Sequence, residues 1–173
     1  MKIEILSIGD ELLIGQTVNT NASWIGEHLA FLGVAPHRIS TVGDDLNDLK
    51  SSFELASDRS DVVLVTGGLG PTHDDVTKTV VTQVLESKVI LKEDILKDIR
   101  ERFARRGLAM AHVNESQARV PEKADILSND SGTAPGFRFQ WRDTLFYVMP
   151  GVPSEMKSMM KRFVLPDLQK AIQ

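Results

Sequence analysis

The residues of this chain best suited by type and spacing to do chemistry lie in one glycine-rich stretch. Residues 66–77 read TGGLGPTHDDVT and directly follow the apolar run Asp61–Val65 (DVVLV). A buried strand, a glycine turn and a helix start outline a phosphate site. Gly67, Gly68 and Gly70 would let backbone N–H groups approach an anion, and a helix N-terminus favours negative charge. Three glycines, a proline and three threonines, Thr72 among them, are more than a turn needs. Asp74 and Asp75 alter the reading, because two carboxylates repel a phosphate. A divalent cation bridging carboxylate and phosphate reconciles them and points to metal-assisted phosphoryl chemistry. His73 could contact a phosphate or assist proton transfer. The plainer alternative is a tight turn with Asp74 as helix cap.

A second acidic pair, Asp10 and Glu11, follows the first apolar run in Gly9-Asp10-Glu11. In open α/β sheets, ligands bind beyond the carboxyl ends of the strands, where strand order reverses. Both acidic pairs leave strands at such an edge, so four carboxylates could converge on a cation. Equally, Asp10 and Glu11 could cap a turn and face water. A third strand-to-helix turn, Met149–Glu155 (MPGVPSE), could close the other side of a pocket with N–H groups at the helix start. Glu155 there could simply favour the helix dipole. Residues 129–136 (NDSGTAPG) form a polar loop that either touches a ligand or merely turns. His28, His37 and His112 are scattered and fit ordinary structural roles. Met156, Met159, Met160 and Phe163 have helical spacing and suit a core or a subunit interface.

These residues need elements to hold them. Strands are expected over Ile3–Ile8, Arg38–Val42 and Asp61–Thr66. Helices are expected over Asn19–Leu32 (capped by Asn19 or Asn21, with Ile25, Leu29 and Leu32 on one face), Leu46–Ser57 and Val76–Leu85. That βαβαβα order implies a parallel sheet with helices on both faces. Further on, Ile95, Leu96, Ile99 and Phe103 mark a helix with a charged outer face, stopped at Gly107. Asn114-x-x-Gln117 reads as a capping box for a short helix. Strands follow at Asp125–Leu127, Gly136–Trp141 and Thr144–Met149, the last two joined at Arg142-Asp143. A final helix over Pro153–Ile172 opens with proline at its first position, and Pro166 should bend or break it.

Composition bounds the partners. A chain of 173 residues suits one domain with a real core rather than two. A net charge of -4 argues against a nucleic-acid backbone as partner and makes a metal more useful for an anionic substrate. Without cysteine, disulfides, zinc–thiolate sites and thiol catalysis are excluded. No apolar run approaches the ~20 residues of a membrane span. The opening MKIEILSIG lacks the organisation of a signal peptide, so a cytoplasmic protein with no membrane partner is expected.

Six motifs in order, GDELLIGQTVNTNASWI, TVGDD, TGGLGPTHDDVT, NESQA, NDSGTAPGF and MPGVPSEM, closely resemble the N-terminal domain of the competence/damage-inducible CinA family. That domain belongs to the molybdopterin-binding, MoaB/MogA-like superfamily. The resemblance runs from Ile3 to about Leu168. It implies a three-layer αβα fold with a mostly parallel sheet, one domain over residues 1–173, and a nucleotide or pterin pocket. It also implies a metal-dependent pyrophosphatase acting on ADP-ribose.

Carried over residue by residue, the resemblance assigns Asp10 and Glu11 to metal binding together with Asp74 and Asp75. Gly67, Gly68, Gly70, Thr72, Gly151 and Pro153 become substrate-binding residues. Asp75 matches the catalytic acidic position of molybdopterin adenylyltransferases and is the expected metal ligand or general base, with Asp74 beside it. The cofactor would be Mg, Mn or Co. Full-length relatives usually continue into a nicotinamide-nucleotide deamidase domain. The chain stops before it, so deamidase activity is expected to be absent. Molybdopterin adenylyltransferases typically have GGTG followed by Arg-Asp, where this loop has Leu69 and Asp74-Asp75. Losing the arginine and gaining a carboxylate favours diphosphate cleavage over pterin adenylylation. A binding module without catalysis is the third reading. A homo-oligomer is expected, a dimer ahead of a trimer, from apolar positions exposed on the methionine-bearing last helix.

Overall fold

A computed structural model describes residues 1–70 and 76–172. Its centre is a six-stranded sheet in the order β2-β1-β3-β8-β7-β6. β1 (Ile3–Ile8), β2 (Arg38–Val42), β3 (Val62–Thr66) and β8 (Thr144–Met149) run parallel. β7 (Gly136–Trp141) and β6 (Asp125–Leu127) complete one edge antiparallel. β4 (Val89–Leu91) and β5 (Arg119–Pro121) form a separate antiparallel pair that the sequence pattern did not reveal. Three residues are too short for a period-two pattern to register.

Helices cover both faces, as parallel strands buried on two sides require. On one face α2 (Thr20–Phe31), α6 (Pro153–Met159) and α7 (Leu165–Ile172) pack over Ile3, Ile5, Val62, Leu64, Tyr147 and Met149. On the other, α3 (Leu46–Ser57) and α4 (Val76–Val84) cover Leu6, Ile8, Val63, Val65, Phe146 and Val148. The alternation of Ile3 and Ile5 against Leu6 and Ile8 is the strand period of two sorting one chain into two cores. Phe53, Phe146 and Phe139 stack through the second core at 5.2 Å between successive ring centroids. α5 (Glu93–Arg105) packs Leu96 and Ile99 on Ala118 in a smaller third cluster.

Two local expectations need correction. Asn114-x-x-Gln117 is not a capping box. Both residues lie inside a 3₁₀ helix over His112–Ala118, whose entry residue Ala111 makes no side-chain cap, and Gln117 is buried. Met156, Met159 and Met160 are buried in the α2/α6 core, so the last helix offers no methionine surface for a partner. Pro166, expected to bend or break the last helix, does interrupt its α-helical bonding. A π turn over Met160–Val164, closed by the Leu165 N–H to Met160 O, takes up the missing proline donor and the helix continues as α7. Among the described residues no helix is long and apolar enough to cross a membrane.

One charged group sits inside the sheet. Glu4 of β1 is fully buried and accepts from Arg59 Nε at 2.9 Å, Arg59 Nη2 at 2.7 Å, Ser40 Oγ at 2.7 Å and Ser60 Oγ at 3.2 Å. Burial pushes its carboxyl up, but the Arg59 guanidinium and the two hydroxyls outweigh that and hold it below the ordinary glutamate value. This ties β1 to β2 and to the end of α3.

Candidate functional site

β2 and β3 lie on opposite sides of β1, so the strand order reverses between β1 and β3. A crevice opens there beyond the carboxyl ends, the usual ligand position in an open α/β sheet. Here it holds a cavity of about 130 Å³. Ser7 and Ile8 reach it from β1, and Glu11 from the short helical segment that follows. Thr17 to Asn21 come from the start of α2, Thr66 from β3, and Gly151 and Pro153 from the turn into α6.

The walls are held by side chains answering backbone groups. Asn19 caps α2, its Oδ1 accepting the Ala22 N–H at 3.1 Å and the Ser7 hydroxyl at 3.3 Å. Asn21, the second residue of α2, donates from Nδ2 to Thr66 Oγ1 at 3.0 Å and to Gly151 O at 2.8 Å. The Thr66 hydroxyl donates onward to Pro150 O at 3.0 Å. Three chain segments far apart in sequence therefore meet through one carboxamide.

The glycines are needed where the loops cross. Gly67 has φ +113 and its α-hydrogen faces Ile8 O; Gly68 has φ +66 and lies against the Thr77 hydroxyl. A side chain would clash at either position and would have to adopt a left-handed backbone. Gly151 stands on Gly67, so that a β-carbon added to Gly151 would meet Gly67 Cα at 3.3 Å. Of the residues named from the sequence, Gly67 and Gly151 touch at the end of β3, and Gly151 and Pro153 line the cavity.

The first acidic pair divides. Glu11 lines the cavity. Asp10 turns to the β2–α3 connection, its Oδ1 accepting the Asp44 N–H at 3.0 Å while its own N–H donates to Asp44 Oδ2 at 3.2 Å. Both sit in a short helix, α1 (Asp10–Leu13), rather than in a bare turn. Gly70 is exposed just past β3, and Pro71 to Asp75, which include Thr72, His73, Asp74 and Asp75, lie outside the described residues. Among the described residues no three histidine, aspartate or glutamate side chains gather into a metal-holding group.

Sequence reasoning missed Ser7, Asn21 and Thr66 as pocket residues. The signal was there: Asn21 is a polar residue on the buried stripe of α2, just after Asn19 has taken the capping role. The loop over residues 129–136 is an organised turn. Asn129 accepts the Ser131 and Gly132 N–H groups and donates to Ala134 O and to Glu155. Glu155 accordingly anchors this loop to the start of α6. A roomier cleft of about 340 Å³ lies between α5 and this loop, with both signs of charge on its walls.

Fold and crevice together define an α/β domain of the MoaB/MogA type with its pocket at the switch point. The MoaB molybdopterin biosynthesis enzyme of Thermus thermophilus superposes with a TM-score of 0.65 at 20% identity, over 98% of this chain and 92% of that one, which shows a shared fold. The family model described as a probable molybdopterin binding domain matches residues 4–170. The solved CinA protein of Thermoplasma acidophilum superposes with a TM-score of 0.84 at 32% identity over 97% of each chain. A putative competence-damage inducible protein of Caldicellulosiruptor saccharolyticus is 45% identical over 170 residues, 98% of this chain and 41% of the relative. The chain belongs to the probable molybdopterin binding domain family and, within it, to the CinA-like proteins. It spans 41% of the length of that curated relative.

Proposed function

We propose that the domain is a divalent-metal-dependent nucleotide pyrophosphatase that hydrolyses ADP-ribose to AMP and ribose 5-phosphate at the switch-point pocket. One observation carries the reading. The Glu11 carboxylate and the opening of the glycine loop share a single crevice, and the paired Asp74-Asp75 follows that loop in the sequence. Aspartate and glutamate oxygens are the donors that Mg and Mn prefer, and Glu11 presents such a donor at the cavity. Asp10 has committed Oδ1 to the Asp44 N–H and would contribute its other oxygen. The bound ion would neutralise charge on the diphosphate and acidify the attacking water.

The chain's own groups do the rest. Backbone amides of Gly68 to Gly70 approach the diphosphate, where the glycines leave room. Asp75 takes the proton of the attacking water as general base. The water oxygen bonds to phosphorus, the bridging P–O bond breaks, and the two monophosphates separate.

The family description favours a second reading, a module that holds a pterin or nucleotide, with or without adenylylation of the pterin. The same crevice would serve it. Incubation with ADP-ribose and a panel of Mg, Mn and Co separates the two. AMP release that stops after EDTA treatment is expected. Equal turnover by metal-free protein would remove the metal from the proposal. Saturable binding without AMP, or pterin adenylylation with ATP, would favour the second reading. We also propose self-association, a dimer ahead of a trimer. Its support is the family likeness and exposed apolar side chains such as Ile14, Val18 and Phe31, rather than the last helix.

A further inference from the structure

The loop over residues 129–136 (NDSGTAPG) contributes nothing to the lining of the switch-point pocket. It is held against α5 instead. Asn129 Oδ1 accepts the Ser131 N–H at 3.1 Å and the Gly132 N–H at 2.9 Å, and Arg102 Nη1 of α5 donates to Gly132 O at 2.8 Å. A cavity of about 210 Å³ opens between loop and helix. It shares no lining residue with the switch-point pocket.

Its walls carry uncommitted donors. Arg102, in the last turn of α5, and Arg106, the C-cap, both line it. Side chains at this i, i+4 spacing share one side of a helix, with Cβ atoms about 5–6 Å apart. Among the described residues Arg102 makes no ion pair and no side-chain bond besides that to Gly132 O, and the Arg106 guanidinium makes none. Arg102 is half-buried and Arg106 exposed, so a ligand can reach both. The Ser131 and Thr133 hydroxyls line the same cavity and also lack partners among the described residues. The one carboxylate in the lining, Glu155, accepts from Asn129 Nδ2 at 2.7 Å. Asp98 lines two adjoining cavities but not this one, and Asp130 is taken by Arg162.

A helix C-terminus favours cations, which accounts for arginines at the end of α5. It does not account for two of them left unpaired around a cavity with two free hydroxyls, in a chain of net charge -4. Guanidinium forks match the oxygens of phosphate, and hydroxyls add further donors. The volume is more than a lone phosphate needs and below the ~300–1,000 Å³ that encloses a drug-sized ligand. We infer that the cavity between α5 and the 129–136 loop is a metal-independent anion site that takes the phosphate of a small phosphate monoester between Arg102 and Arg106. The inference goes beyond the pyrophosphatase reading and does not rest on it.

The test is calorimetric titration of inorganic phosphate and of ribose 5-phosphate into protein stripped of metal with EDTA and then desalted. Without a cation the switch-point pocket keeps the Glu11 carboxylate uncompensated and disfavours phosphate. Saturable binding of both probes is expected, the ester tighter. Arg106→Gln, at an exposed position with no bond to lose, should weaken binding by about 10-fold or more, the worth of a charge-assisted hydrogen bond. Arg102→Gln should weaken it at least as much. Arg105→Gln removes the same charge next door, outside this cavity, and should leave affinity nearly unchanged. No saturable binding to metal-free wild type overturns the inference. So does an affinity that Arg106→Gln leaves unchanged, or one that Arg105→Gln lowers equally, since that marks general attraction to a basic helix end. An ester no tighter than inorganic phosphate overturns the monoester as occupant. Binding is read without turnover, so absence of AMP release removes the pyrophosphatase and leaves this site to be judged by itself.

Discussion

Arg59→Ala should damage this protein far more than its position at the end of a helix suggests. Glu4 has no exposed side-chain surface, and among the described residues Arg59 is its one cationic partner, through two hydrogen bonds, with Arg59 itself 33% exposed. Breaking a buried pair typically costs about 3–5 kcal/mol, because one charge stays buried without compensation. Partial exposure of Arg59 lets water enter on its removal, which places the expectation at the low end, about 3 kcal/mol. For a chain of this size that lowers Tm by roughly 6–12 °C.

The pH dependence identifies the cause. In the wild type the Glu4 carboxyl is held below its ordinary value, so its contribution is present above the unfolded pKa of about 4.3 and is lost as pH falls through the folded value. In Arg59→Ala, burial acts on Glu4 without its cation, the folded pKa rises, and acid relieves the strain. The stability gap between the two proteins should therefore narrow as pH drops from 7 toward 4. Glu4→Leu combined with Arg59→Met should regain much of the loss, because an apolar pair needs no compensation. Urea unfolding across pH is the assay. A cost below about 1 kcal/mol, the worth of a surface pair, or a gap that does not change with pH would refute the reasoning.

If the proposed pyrophosphatase holds, Asp75→Asn, which keeps size and removes only the charge, should lose ~100- to 10,000-fold in kcat on ADP-ribose. Near-normal turnover in a folded sample moves the assignment to Asp74 or Glu11. Gly68→Ala should cost more than Gly15→Ala in denaturant unfolding. Both glycines have positive φ, at a cost of roughly 1–2 kcal/mol for alanine, but only at Gly68 does the new methyl meet Thr77, while Gly15 has open space. Equal losses would show that Thr77 yields freely. Light scattering at micromolar concentration should report an oligomer, and a strictly monomeric mass would count against self-association.

The strands and helices of the first half were legible because each is a clean periodic run with a marked end: Ile3–Ile8, Arg38–Val42 and Leu46–Ser57 stand where the pattern puts them. The βαβ order already required a parallel sheet, and the glycine spacing already marked where it would be open. The family motifs named Glu11, Gly67, Gly68, Gly151 and Pro153, which do surround or adjoin one crevice. Assigning a pocket role to Asn21 was not possible from local pattern. It lies 45 residues from Thr66 and 130 from Gly151, and a residue type carries no record of which distant carbonyl it will meet. The same holds for Asp10 and Glu11. Adjacent and alike as letters, they diverge because one side chain finds the Asp44 amide in the next loop and the other faces the cavity. Periodicity decides secondary structure because it follows from local geometry and burial. Which polar groups are spent and which are left for a ligand depends on hydrogen bonds between segments, and these exist only after the sheet has brought the strand ends together.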